Sequence, residues 1–289
     1  MFQHLNRSFI RTALESISMA TQTTRATQPT QATDREKSQS RFDMKILGVE
    51  EFTESNKIWR MLCAEFLGAF SLLFFGCGTI MNVKEGILTV QVALTFGLCI
   101  AVMAQSIGHV SGCHINPAVT LSFLVVGKCS ILKSLCYIVL QCAGAAAGFY
   151  VLLLVTPHAT EASSNNLGNT SLGKNVTPSQ GLVVEIIATF LLCFVIHSVC
   201  DERRSDVKMI APLLIGISAV VCHLFAIDYT GSSLNPARSF GPTVVYGKWT
   251  NHWVYWAGPI IGGCVASIVY KLLFQVRKGE EETSSYDFS

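Results

Sequence analysis

Charge is scarce in this chain: only 14% of its 289 residues are Asp, Glu, Lys or Arg, and the net charge is just +2. The cations are scattered over segment ends, so the basic face or stripe of a nucleic-acid binder is missing and no nucleic-acid partner is expected. The constellations of enzymes are missing too. Eleven cysteines are present, yet none shows CxxC spacing and no histidine cluster accompanies them, which leaves no ligand pattern for a metal and implies no cofactor. Cys63, Cys99, Cys136, Cys142, Cys193 and Cys264 fall inside apolar runs, where a thiol acts as a small buried hydrophobe. There is no glycine-rich phosphate loop and no nucleophile–base arrangement, so an enzyme is not expected. Residues 1–57 contain no continuous apolar core of the secretory-leader kind, and the first apolar run is expected to act as the targeting signal.

Apolar residues are what the chain has in abundance. Half of it is hydrophobic and the mean hydropathy is +0.44, a composition rare in soluble domains. Six apolar runs, roughly Trp59–Ile80, Leu88–Ile107, Ile131–Val155, Leu182–Val199, Met209–Ile227 and Trp253–Phe274, are each near the ~20 residues needed to cross a bilayer. Two others, Ile115–Val126 and Leu234–Val245, are too short to cross.

Each short run opens on the same tripeptide, Asn116-Pro117-Ala118 in one and Asn235-Pro236-Ala237 in the other. Asn is a strong helix N-cap, and Pro suits the first helical position because the N–H it lacks would have had no partner there. Both tripeptides therefore read as helix starts at membrane depth. Irregular backbone is tolerated at that depth only against protein or a water-filled cavity, and the simplest such cavity is a pore. The surroundings repeat as well. Glu65 and Glu185 precede their Asn by 51 and 50 residues, Gly97 and Gly216 by 19 each, and Gly144 and Gly263 follow by 28. Three spans per half is an odd number, so the second half enters the membrane inverted. The fold class is thus an all-α membrane protein, with six transmembrane helices and two re-entrant half-helices in an inverted repeat. Its channel domain covers residues 58–275, with repeats at about 58–155 and 181–275. Gly144 with Gly148 and Gly258 with Gly262 have the spacing that lets helices approach closely.

An even number of spans puts both termini on one side. The N-terminal segment, the connections carrying Lys128, Lys133, Arg203, Arg204 and Lys208, and the tail with Lys271, Arg277 and Lys278 hold most of the basic residues, which makes that side cytoplasmic. The connection over residues 156–180 then faces outward, where Asn169 and Asn175 head candidate glycosylation sequons. Asn6-Arg7-Ser8 is a chance match on the wrong side. Glu65 and Glu185 lie within spans, where an unpaired charge is expensive. Their equivalent positions and the lack of a cationic partner favour structural acceptors for the re-entrant loops over ion carriers.

The strings Ser111-Gly112-Cys113-His114-Ile115-Asn116-Pro117-Ala118-Val119-Thr120 and Thr230-Gly231-Ser232-Ser233-Leu234-Asn235-Pro236-Ala237-Arg238-Ser239-Phe240-Gly241-Pro242 resemble the aquaporins, or major intrinsic proteins. The resemblance covers roughly residues 58–275 and is nearest the water-selective branch, especially the insect water channels. It implies passive water conduction down osmotic gradients, a plasma-membrane location and a homotetramer with one pore per subunit. By the same resemblance the selectivity ring is Phe96, His223, Ser232 and Arg238, with His223 and Arg238 supplying donors. Glycerol channels typically have a smaller or apolar residue where His223 stands, so water selectivity is favoured. Thr243 departs from the small Ala that water channels often carry there. Asn116 and Asn235 should cap the half-helices and still offer an amide N–H to water. The backbone carbonyls of Gly112, Cys113, His114, Gly231, Ser232 and Ser233 should line the path, their side chains mattering less. Cys113 occupies the place related by the repeat to Ser232, where water channels often have a mercury-reactive Cys, and is the candidate mercurial site. Alternatives are a facilitator that also passes glycerol or urea, and a junctional membrane protein with little permeability.

The polar tracts outside the channel domain, residues 1–57 and 276–289, read as disordered cytoplasmic extensions. A membrane-surface helix or targeting presequence near Phe2–Ile17 is the other reading of the first tract.

Overall fold

The computed structural model describes residues 46–53, 57–81, 89–157 and 168–277. The expected presequence and most of both polar extensions lie outside these residues. Within the first extension, Val49–Thr53 forms a short helix, α1, and Phe52 packs on Ile58, Leu62 and Tyr137; the stretch next to the first span is therefore not irregular.

Among the described residues six long helices are apolar enough to span a membrane. They are α2 (Lys57–Met81), α3 (Thr89–Ser111), α5 (Ile131–Val155), α6 (Pro178–Val199), α7 (Ala211–Thr230) and α9 (Val254–Val269), the last running on as a π-helical turn, Tyr270–Phe274. The two half-helices are α4 (Pro117–Val125) and α8 (Pro236–Tyr246). The start of α6 is set by a capping box, in which Thr177 Oγ1 accepts from the Gln180 N–H while the Gln180 side chain accepts from the Thr177 N–H. α7 and α8 stop at Gly231 and Gly247, each in the left-handed conformation that glycine takes without strain.

Packing follows the repeat. α2 packs on α5 and α3 in the first half as α6 packs on α9 and α7 in the second, while α3 crosses α7 between the halves. Each half-helix lies against the last span of the opposite half: α4 on α9 and α8 on α5. Small residues permit these crossings. A Cβ on Gly97 would sit 2.5 Å from the Gly216 carbonyl, and one on Gly216 would sit 2.5 Å from the Gly97 carbonyl, so the two glycines mark backbone-to-backbone contact across the pseudo-twofold. Gly144 and Gly262 do the same within each half, their Cβ positions 2.2 Å from the carbonyls of Phe66 and Ile186. The residue equivalent in contact to Gly144 is thus Gly262, one place from the Gly263 that sequence spacing pairs with it; Gly263 instead faces Ala118 O, at 3.1 Å. Many large apolar side chains on the outer faces are exposed, among them Leu67, Phe75, Leu154 and Leu272, as suits helices whose outside meets lipid rather than water.

Candidate pore and selectivity ring

The re-entrant loops are held from within by the two buried glutamates. Glu65 accepts four hydrogen bonds: Oε1 from Ser111 Oγ (2.6 Å) and the His114 N–H (2.9 Å), Oε2 from the Ile115 N–H (2.6 Å) and Gln141 Nε2 (2.7 Å). Glu185 accepts three: Oε1 from Thr230 Oγ1 (2.6 Å) and the Ser233 N–H (2.9 Å), and Oε2 from the Leu234 N–H (2.8 Å). Backbone donors that no helix could satisfy are thereby paired at full burial, which is the condition for such loops to exist in a bilayer. The loops also carry the same strain. Cys113, Ile115, Ser232 and Leu234 have φ of 49°, 44°, 51° and 55°, an unfavourable region for side-chain-bearing residues and most of all for β-branched Ile.

Asn116 and Asn235 face each other where the half-helices meet. Each caps its own helix: Asn116 Oδ1 accepts from the Ala118 N–H at 2.8 Å, and Asn235 Oδ1 from those of Ala237 (2.9 Å) and Arg238 (3.3 Å). Each also donates across the junction, Asn116 Nδ2 to Leu234 O and Asn235 Nδ2 to Ile115 O, both at 2.9 Å. An amide has two hydrogens, so one remains on each for the cavity. Among the described residues no protein donor pairs with the carbonyls of Gly112, Cys113, His114, Gly231, Ser232 or Ser233. Side chains in these loops do more than the sequence reading gave them. His114 Nδ1 lies 3.2 Å from Thr120 Oγ1, and Ser233 Oγ accepts from Ser239 Oγ at 2.6 Å while donating to Asn235 O; both tie the loop to the half-helix that follows it.

A cavity of about 60 Å³ runs past both asparagines, with Phe96, His223 and Arg238 at one end and Phe123, Ile196 and Cys200 at the other. Three of the four ring residues converge on the cavity. The Phe96 and His223 rings are stacked with centroids 4.9 Å apart, and the Arg238 guanidinium sits 4.9 Å over the Phe96 ring. Arg238 Nη1 donates to the carbonyl of Gly168, in the connection between α5 and α6. Ser232 is fully buried. Among the described residues His223 Nε2, Ser232 Oγ and Arg238 Nε are buried with no protein partner. Unpaired polar atoms at such depth are rare unless water or a solute meets them.

One expectation about this ring needs correction. His223 Nδ1 lies 2.8 Å from the Ala219 carbonyl, which can only accept, so the neutral ring carries its hydrogen on Nδ1 and presents Nε2 as an acceptor. Arg238 is the donor and His223 its complement, not two donors side by side.

At the other end, the His114 and Phe123 rings stack at 4.8 Å, and His197 packs on Phe123 at 4.4 Å while its Nε2 lies 3.0 Å from Ser122 Oγ. His197, which had no assigned task in the sequence, is a packing residue of this mouth. Cys113 is half-buried on the cavity wall. Of the two sequon asparagines, Asn175 is exposed. Asn169 is half-buried, and its Oδ1 accepts from Thr243 Oγ1 at 3.0 Å. Sequence reasoning missed Gln141, Gly168 and Phe123, which no local motif marks, and met Thr170 only as the middle residue of the Asn169 sequon. Among the described residues no group of His, Cys, Asp or Glu is arranged to hold a metal ion.

Residues 52–270 match the family model described as major intrinsic protein. Among curated proteins, the chain is 47% identical over 221 residues to aquaporin-4 of Mus musculus, covering 75% of this chain and 68% of that protein. It is 43% identical over 233 residues to the lens fiber major intrinsic protein of Bos taurus, covering 80% and 88% respectively. Among solved structures it matches the aquaglyceroporin from Plasmodium falciparum, with a TM-score of 0.68 and 25% identity over 75% of this chain and 96% of that one.

Proposed function

The chain belongs to the major intrinsic protein family, a family of membrane channels and not of enzymes, and from that premise we propose that it is a water-selective channel of the plasma membrane. The observation that carries this reading is the ring. Two stacked aromatic faces and a guanidinium drawn over one of them leave a narrow passage, and among the described residues His223 Nε2, Ser232 Oγ and Arg238 Nε are buried without a protein partner. A water molecule can give a hydrogen to His223 Nε2 and accept one from Arg238. A polyol has to bring a carbon backbone through as well, and the ring gives it little apolar width.

Proton exclusion is placed at the asparagine pair. The free amide hydrogens of Asn116 and Asn235 both donate to one water oxygen, so that water turns its own hydrogens outward toward its neighbours and breaks the chain along which a proton would hop. The N-termini of α4 and α8 point at the same spot and add positive potential, which together with the Arg238 charge repels hydronium and other cations. The carbonyls of residues 112–114 and 231–233 accept hydrogen bonds from the rest of the water file.

Further parts of the reading are a homotetramer with one pore per subunit, both termini on the cytoplasmic side, Asn175 rather than Asn169 as the accessible glycan acceptor, and Cys113 as the mercurial target. The relatives leave the solute open, since one similar structure is of an aquaglyceroporin. Osmotic water permeability and glycerol uptake, measured side by side in proteoliposomes of the full chain, decide it. Rapid water flux without glycerol entry supports the proposal. Glycerol flux well above that of empty liposomes moves the reading to a broader facilitator, and neither flux moves it to a junctional protein.

A further inference from the structure

Three consecutive residues between α5 and α6 each bond a different residue of α8. Gly168 O accepts from Arg238 Nη1, Asn169 Oδ1 accepts from Thr243 Oγ1 at 3.0 Å, and Thr170 Oγ1 donates to Ser239 Oγ at 2.8 Å. The middle contact continues beyond α8. Trp256 Nε1–H donates to His252 Nε2 at 3.0 Å, so Nε2 is the bare nitrogen and the neutral ring carries its hydrogen on Nδ1. Nδ1 lies 3.3 Å from Thr243 Oγ1. The hydroxyl accepts that hydrogen and sends its own to Asn169 Oδ1, which can only accept. Every bond in the chain from Trp256 through His252 and Thr243 to Asn169 thus has its direction fixed.

Position makes this chain matter. The Gly168 carbonyl that holds Arg238 belongs to the same planar peptide unit as the Asn169 nitrogen, so a fixed Asn169 side chain limits how that plane can turn. On its other side Gly168 has φ +89°, and a Cβ there would meet Cys77 Sγ at 2.9 Å. Thr243 is 1% exposed, out of reach of a replacement water. We propose that Thr243 is a positioning residue of the selectivity ring: backed by His252, its hydroxyl pins Asn169 so that the Gly168 carbonyl keeps the Arg238 guanidinium over Phe96. The departure from a small residue at this place therefore has a task, and Asn169 has one other than carrying a glycan. This inference rests on the water-selective reading.

The test uses full-length protein in proteoliposomes and reads the ratio of glycerol to water permeability per reconstituted channel. Thr243→Val keeps the shape and removes the hydroxyl; Thr243→Ser keeps the hydroxyl. The Val variant should raise the ratio about fivefold, the factor equivalent to one net hydrogen bond of about 1 kcal/mol, and the Ser variant should restore the wild-type value. Asn169→Leu should raise the ratio as Thr243→Val does, and the double variant no further, because both break one link. A Val variant with the wild-type ratio overturns the proposal, and so does a Ser variant as permissive as Val. If Thr243→Val does not reconstitute, Asn169→Leu removes the same bond from its other end, and an unchanged ratio there is equally fatal. Free glycerol passage through the wild type sinks the water-selective reading itself, a different result from selectivity that survives Thr243→Val.

Discussion

The ring and its image under the repeat sit on one cavity and differ in almost every chemical respect. The two tripeptide asparagines are 119 residues apart, and that shift relates Phe96 to Ile215, His223 to Ala104, Ser232 to Cys113 and Arg238 to Val119. Ile215, Ala104, Cys113 and Val119 all line the cavity. The backbone at the two places is alike down to the left-handed residues at 113 and 232. An aromatic, an imidazole, a hydroxyl and a guanidinium at one end are answered by two aliphatic side chains, a methyl and a thiol at the other. The scaffold builds two equivalent rings that differ only in their side chains, and the proposed selectivity rests on that difference. Support differs in the same way. The loop leading to α4 is braced by span residues, Gln141 on Glu65 and Tyr137 OH on Ser111 O at 2.9 Å. In the other half the strap at 168–170 holds α8 itself, through Arg238 and Ser239.

The largest expected effects come from breaking the braces themselves. Replacing Glu65 by Leu strands four donors and replacing Glu185 by Leu strands three, at about 1–3 kcal/mol for each buried group. Both variants should lose several kcal/mol, and Glu65→Leu should melt at the lower temperature in detergent. A more severe loss for Glu185→Leu would mean that the two halves are not braced as described. Where the halves are alike, the effects should be equal. Gly144→Ala and Gly262→Ala each drive a methyl to 2.2 Å from a carbonyl oxygen, and each should cost about 1–3 kcal/mol by overpacking; melting temperatures that differ widely would break the symmetry. The smallest effect concerns the thiol. Cys113→Ser should leave water flux nearly unchanged and abolish mercurial block, whereas Ser232→Cys should move a block site into the selective ring. Block that persists in Cys113→Ser points to another of the free cysteines.

Much of this comparison was legible in the chain. The apolar run Ile131–Val155 has the same limits as α5, and both half-helices begin at the Pro of their tripeptides, because N-cap chemistry is local. The family membership and the all-helical fold follow from motifs that survive as strings. What was not legible depends on distant pairs. The spacing that paired Gly144 with Gly263 missed the contact partner Gly262 by one residue, since packing register is a property of two helices. The acceptor role of His223 depends on a carbonyl four residues earlier, and the strap's task depends on α8 lying beneath it. Asn169 could be seen in sequence only as a sequon, because its partner Thr243 is brought to it by the fold.

The most direct measurement converts the selective ring into its image. His223→Ala with Arg238→Val places at one end what Ala104 and Val119 already supply at the other, without touching the asparagine pair or either glutamate. In proteoliposomes at matched reconstitution, the double variant should keep rapid water flux and admit glycerol at least tenfold faster than wild type, the factor given by about 1.4 kcal/mol of lost discrimination. A double variant that conducts water and still excludes glycerol would contradict the assignment of selectivity to this ring.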